Sequence, residues 1–111
     1  MSISDTISLR YVSWNDTYPA VIKSFKDKRT EEAFNGRAVK GFPAPLLKVV
    51  RRKLAMLNAA ISLDDLRSPP NNRLEALTKD RTGQHSIRVN DQFRICFVWT
   101  RDGAERVELV D

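Results

Sequence analysis

Hydrophobic and polar positions alternate most regularly in the second half of the chain. Phe93, Ile95, Phe97 and Trp99 fall on one face of an extended strand, with Arg94, Cys96 and Val98 on the other. Upstream, His85, Ile87 and Val89 share a face, and Ser86 and Arg88 lie opposite. Period-two alternation of this kind predicts two strands, each with one strongly buried face. Asn90-Asp91-Gln92 predicts the turn between them, and Gly83 closes the preceding loop. The hairpin therefore has a core face and a face from which Arg88 and Arg94 project.

Helical spacing is clearest from Pro43 to Ala60. Leu46, Val50, Leu54, Leu57 and Ile61 form one predicted stripe. Pro43 and Pro45 open this helix, where proline is tolerated. Lys48, Arg51 and Arg52 fall on its far side, either as a solvated face or as a surface for RNA or an acidic partner. An earlier, shorter helix runs from Lys28 to Asn35, with Asp27 as its cap and Gly36 as its stop. Alternation predicts a strand from Val21 to Phe25, with Val21, Lys23 and Phe25 on one side. Asp64-Asp65-Leu66 begins a short turn, and Ser68 to Asn72 is a connector. The last strand, Glu105 to Val110, follows a turn from Thr100 to Gly103. Helices grouped early and strands grouped late predict an α+β fold, with two N-terminal helices packed on a mostly antiparallel sheet.

At 111 residues the chain is expected to form one domain with a core of its own. No apolar run is long enough to span a membrane, and no basic stretch followed by an apolar one suggests a secretion signal. Cys96 is the single cysteine. Its strand position fits a buried small hydrophobe, and a reducing cytoplasm is the natural compartment. The net charge is +5. Arg10 against Asp5 and Asp16 leaves residues 1–20 at −1, so residues 21–111 carry +6. Positive charge on a small domain points to RNA, DNA or an acidic protein. Residues 1–20 read as an appendage with weak periodicity, docked or loose, in which Trp14 and Tyr18 could pack.

Ordered segments of residues 21–111 carry a family resemblance. They are Ile22-Lys-Ser-Phe25, Lys53-Leu-Ala-Met-Leu57, Leu63-Asp-Asp-Leu-Arg-Ser-Pro-Pro70, Asn72-Arg-Leu-Glu-Ala-Leu77, Gly83-Gln-His-Ser-Ile-Arg88, Asn90-Asp-Gln-Phe-Arg-Ile-Cys-Phe97 and Val107-Glu-Leu-Val-Asp111. Together they resemble the HigB-type killer toxins of the RelE/ParE superfamily. The resemblance implies the toxin of a bacterial type II toxin–antitoxin pair, a small RelE-like domain that cuts messenger RNA on the translating ribosome. It implies neutralisation by a HigA-type helix-turn-helix antitoxin, in a complex that represses its own promoter. Promoter DNA is then met only through the antitoxin. Residues 1–20 precede the usual family beginning, where Val21 stands in place of an initiator methionine.

RNA strand cleavage needs the 2′-hydroxyl to attack the neighbouring phosphate, helped by orientation, charge stabilisation and proton movement. A single histidine and a single cysteine make no transition-metal cluster, so no cofactor is expected. Arg94 matches the family's catalytic arginine. Arg88, Arg81, Lys79 and Arg73 are candidates for holding the RNA backbone. Glu75 stands where some HigB toxins have a histidine, and is either a general base or a strand-edge carboxylate. His85 is either a titrating group or a structural one. Asp111 matches the acidic residue of the family's C-terminal Asp-Tyr-His. With the Tyr and His absent here, the expectation is a chain that folds and binds antitoxin but cleaves weakly or not at all. A ParE-like gyrase poison and a non-catalytic antitoxin-binding module are the alternatives.

Overall fold

The structure is a computed structural model that describes residues 21–111. The expected appendage, with Trp14 and Tyr18, lies outside the described residues. In chain order the elements are β1 (Val21–Ile22), α1 (Lys28–Phe34), α2 (Ala44–Ala59), β2 (Glu75–Ala76), β3 (His85–Arg88), β4 (Arg94–Thr100) and β5 (Gly103–Val110). Short 3-10 turns at Leu63–Arg67, Pro70–Asn72 and Lys79–Arg81 fill the connections around β2. The strands form one sheet in the order β1-β5-β4-β3-β2. β1 runs parallel to β5 and all other neighbours are antiparallel, so the fold is the expected α+β arrangement. No helix among the described residues is long and apolar enough to cross a membrane.

Local chemistry accounts for the helix ends. Asp27 Oδ1 accepts the Thr30 N–H at 3.2 Å, which caps α1. Gly36, at φ +86°, ends it. There the Gly36 N–H donates to the Ala33 carbonyl and the Arg37 N–H to the Glu32 carbonyl, satisfying two orphan acceptors. α2 buries Leu47, Val50, Leu54 and Leu57 in the same core as Ile87, Ile95, Phe97, Val107 and Leu109 of the sheet. The hairpin faces are as the alternation predicts: Phe42 and Phe93 pack edge to face, as do Phe97 and Trp99. Fully buried Phe97 is the largest side chain of this core. Its removal would be expected to cost about 3–5 kcal/mol.

Four details differ from the sequence pattern. Ile61 is 69% exposed, because α2 ends at Ala59 and Ala60 already has extended backbone. The i+15 step of the stripe therefore falls outside the helix. Arg51 is not on a free solvated face: its Nε donates to the Ala33 carbonyl at 3.0 Å and its Nη2 to the Arg37 carbonyl at 2.7 Å. Lys53, unremarked in the pattern, is buried within the stripe itself. Finally, the first strand is shorter than Val21 to Phe25. Between the pairs Cys96–Glu108 and Val98–Glu105, one residue of β4, Phe97, opposes two of β5, Arg106 and Val107. The extra residue makes a bulge, with Arg106 at φ +55°. Ser24 follows the bulge, its hydroxyl accepting the Arg106 N–H and its carbonyl the Val107 N–H. Strict alternation stops there, so Ile22 and Phe25 pack on the core while Lys23 and Ser24 are exposed.

Candidate active site

The sheet face opposite the helices carries the candidate chemistry. Register places Glu75, Ser86, Cys96 and Glu108 in one row across β2, β3, β4 and β5. Arg88, Arg94 and Val110 form the next row. Because side chains of opposed residues share a face, these two rows point the same way.

Arg94 is the centre of this surface. Its Nε donates to Ser86 Oγ at 2.7 Å, and its Nη2 donates to the Arg73 carbonyl at 2.9 Å. Glu75 Oε1 lies 3.4 Å from the same Nη2. A guanidinium has five N–H donors in a fixed fork. Binding at Nε and Nη2 fixes its plane and leaves Nη1 with no hydrogen bond to another described residue. The Arg94 side chain keeps 29% of its exposure and Glu75 keeps 55%, so both reach solvent. Ser86 is fully buried. Arg73 holds its carbonyl in place from a left-handed backbone conformation, φ +47° and ψ +57°.

The other candidates surround this centre unevenly. Arg88 is paired in register with Arg94 across the hairpin, but its guanidinium bonds Asp91 in the turn. Arg81 sits over the first row and donates to Gln84 Oε1 and to Glu108 Oε2, each at 3.0 Å. Lys26 also approaches Glu108, at 3.5 Å. Lys79 is exposed in the loop before β3, at φ +58°. Asp111 follows Val110, the register partner of Arg94, and accepts from Gln92 Nε2 at 3.1 Å. His85 is on the opposite face. Its ring stacks on Phe97 at 6.3 Å, and its Nδ1 is buried without a hydrogen-bond partner among the described residues. The structure thus brings together Arg94, Glu75, Arg88 and the Arg73 carbonyl. It places Arg81 one row away and Asp111 at the border, and it separates His85 from all of them.

Beneath Arg81, burial pushes the Cys96 thiol up from its ordinary pKa, with the nearby Arg81 charge opposing. Arg81 is itself held more firmly protonated, chiefly by its hydrogen bond to Glu108. A raised thiol pKa in a buried site is the signature of an inert structural cysteine. No cavity opens on this face among the described residues.

Two contributors were missed by the sequence reading. Ser86 has a weak signal, a small polar residue in mid-strand on the arginine face. The Arg73 backbone has none, since a carbonyl's direction follows from the turn rather than from residue type.

A family model described as the RelE-like toxin of the type II toxin–antitoxin system HigB matches residues 23–111. The chain is 41% identical over 76 residues to Toxin HigB-1 of Vibrio cholerae serotype O1, covering 68% of this chain and 80% of that protein. It is 40% identical over 67 residues to an uncharacterized protein of Haemophilus influenzae, covering 60% of this chain and 66% of the other. The chain belongs to the HigB-like toxin family of type II toxin–antitoxin systems. Membership of such a system implies an antitoxin partner.

Proposed function

We propose that this toxin is an endoribonuclease acting in the cytoplasm on messenger RNA engaged by the translating ribosome. Its antitoxin is then of the HigA helix-turn-helix type, and promoter DNA is reached only through the toxin–antitoxin complex. One observation carries the reading: the Arg94 guanidinium is immobilised by Ser86 and the Arg73 carbonyl, beside the Glu75 carboxylate, on an open face.

The chemistry follows from those groups. The 2′-oxygen of a ribose attacks the adjacent phosphorus. The 2′-O–P bond forms, the P–O5′ bond breaks, and a cyclic phosphate and a 5′-hydroxyl result. The attacking hydroxyl must lose its proton, and the leaving 5′-oxygen must gain one, which solvent water supplies on this open face. Glu75 is the carboxylate nearest Arg94 and is proposed as the proton acceptor. Arg94 stabilises the charge that builds on the phosphoryl oxygens, through a donor set fixed before substrate arrives. Arg88, Arg81, Lys79 and Arg73 surround this centre with positive charge and hold the RNA backbone in line. Asp111 and Gln92 border its far end. His85 is left a packing role against Phe97.

The test is cleavage of messenger RNA on purified ribosomes carrying defined codons in the A site. The resemblance alone implies weak or no cleavage; with Arg94 and Glu75 already side by side, the chain is expected to cut, and Arg94→Ala to leave the message intact. Intact messenger RNA with the wild-type chain, under conditions where it binds ribosomes, would overturn the proposal.

A further inference from the structure

Lys53 is 3% exposed and lies in the apolar stripe of α2, between Val50 and Leu57. Its recorded partner among the described residues is neutral: Nζ donates to Asn72 Oδ1. Asn72 is 0% exposed. Its Nδ2 donates to the Leu66 carbonyl at 3.1 Å and to the Ser68 carbonyl at 3.4 Å, with Met56 Sδ at 3.9 Å. The amide orientation is therefore fixed from both sides. Rotated by half a turn, its nitrogen would face an ammonium and its oxygen would face carbonyls. The Asn72 N–H is bound as well, to the Pro69 carbonyl at 2.9 Å.

The next residue is Arg73, in left-handed backbone with its N–H on the Pro70 carbonyl at 3.1 Å. Such a conformation is sparsely populated for a non-glycine residue and persists where neighbours hold it. It aims the Arg73 carbonyl at Arg94 Nη2. The chain of contacts thus runs from the helix layer, around the sheet edge, to the candidate active face.

Core stability alone does not explain a lysine here. An apolar side chain would continue the stripe of Val50, Leu54 and Leu57, and replacing buried charge by hydrophobic side chains is often neutral or stabilising. A buried ammonium is nevertheless a strong donor to the one amide that fixes the turn. We propose that Lys53 is a positioning residue: through Asn72 it holds the left-handed turn at Arg73, whose carbonyl orients the Arg94 guanidinium. Its meaning for catalysis rests on the ribonuclease reading, but its effect on Arg94 does not.

The experiment measures by NMR the Arg94 Nη2–H protons, which bond the Arg73 carbonyl, assigned by their loss in Arg94→Lys, and their rate of exchange with water. In Lys53→Met, exchange is expected to speed up by about tenfold, the loss of one well-formed hydrogen bond. Asn72→Asp keeps an acceptor for Lys53 but gives up the donors to Leu66 and Ser68, and is expected to act in the same direction. Either variant, once folded, decides the matter. An exchange rate equal to wild type in a folded variant would overturn the proposal. In the ribosome assay, messenger RNA cleavage by Lys53→Met is expected to fall by roughly 10- to 100-fold in kcat with little change in KM. Faster exchange with no cleavage even by the wild-type chain would sink the ribonuclease reading and leave the positioning role standing.

Discussion

Ser86, fully buried in β3, accepts a hydrogen bond from Arg94 Nε at 2.7 Å. The contact fixes which edge of the guanidinium faces outward. Arg94→Ala is therefore expected to fold normally and to lose about 100- to 1,000-fold in cleavage rate, the usual cost of one charge-stabilising donor. Arg94→Lys keeps the charge, yet one ammonium cannot reproduce the fixed fork against Ser86, the Arg73 carbonyl and a phosphate. It is expected to lose nearly as much. Single-turnover cleavage, with thermal melting as the control for folding, checks both. A fully active Arg94→Lys would show that charge suffices and that the Ser86 contact has no catalytic part.

Glu75 offers a sharper distinction. It lies on the two-residue edge strand β2, with Oε1 3.4 Å from Arg94 Nη2. An ion pair this exposed contributes about 0–1 kcal/mol to stability. Glu75→Gln is expected to melt with the wild type and to lower the cleavage rate by roughly 100- to 10,000-fold, the range of general acid–base groups. Near-normal cleavage by Glu75→Gln would assign the carboxylate to holding Arg94 rather than to proton transfer.

Much of this fold is legible in the sequence, for physical reasons that differ by element. The hairpin faces follow from a period of two, which leaves no freedom once Phe93, Ile95 and Phe97 need burial. Asp27 and Gly36 mark α1 because capping chemistry is local. The phase of α2 was harder: the predicted stripe leaned on Leu46 and Ile61, whereas Leu47 takes the buried place and Ile61 lies past the helix end. Lys53 could not be read as core from residue type, because charge argues for exposure and the compensating Asn72 is nineteen positions away. At the candidate site, Arg94, Arg88 and Glu75 were found through family position and strand direction. The Arg73 carbonyl and the bulge at Arg106 depend on backbone angles that no side-chain pattern encodes.

Arg51 links the two helices at a point where α1 runs out of partners. The Ala33 carbonyl receives the Gly36 N–H and Arg51 Nε, and the Arg37 carbonyl receives Arg51 Nη2. Arg51→Ala is expected to destabilise by about 2 kcal/mol, typical of hydrogen bonds from a charged donor. In a domain of this size each kcal/mol corresponds to roughly 4–8 °C in Tm. Arg51→Lys should recover only a minor part, since a point charge cannot span two carbonyls as the fork does. Thermal melting of the three chains checks it. Equal midpoints would mean that the two carbonyls are as well served by water.

Lys53 makes stability depend on pH in a direction opposite to that of a lysine held by an ion pair. Burial lowers its pKa from the ordinary 10.5, and the Arg52 and Arg88 charges lower it further. Below the lowered folded-state value, both folded and unfolded chains are protonated there, and the folded chain bears the full cost of a buried charge. As the pH climbs from that value toward 10.5, the folded chain releases its proton first. The unfolded chain then binds more protons, so the contribution of Lys53 to stability improves with pH across this window. Once both states are neutral the cost is gone. Lys53→Met removes the charge altogether. Removing the charge is an advantage near neutral pH, set against the roughly 1–3 kcal/mol lost by leaving the buried Asn72 Oδ1 without its donor. The advantage should shrink as pH rises through the alkaline window, where only the wild type gains. Tm measured for both chains at matched ionic strength from neutral pH to beyond 10.5 is the test. A gap between the two that stays constant with pH would mean that Lys53 titrates alike in the folded and unfolded chains, and that its burial carries no charge penalty.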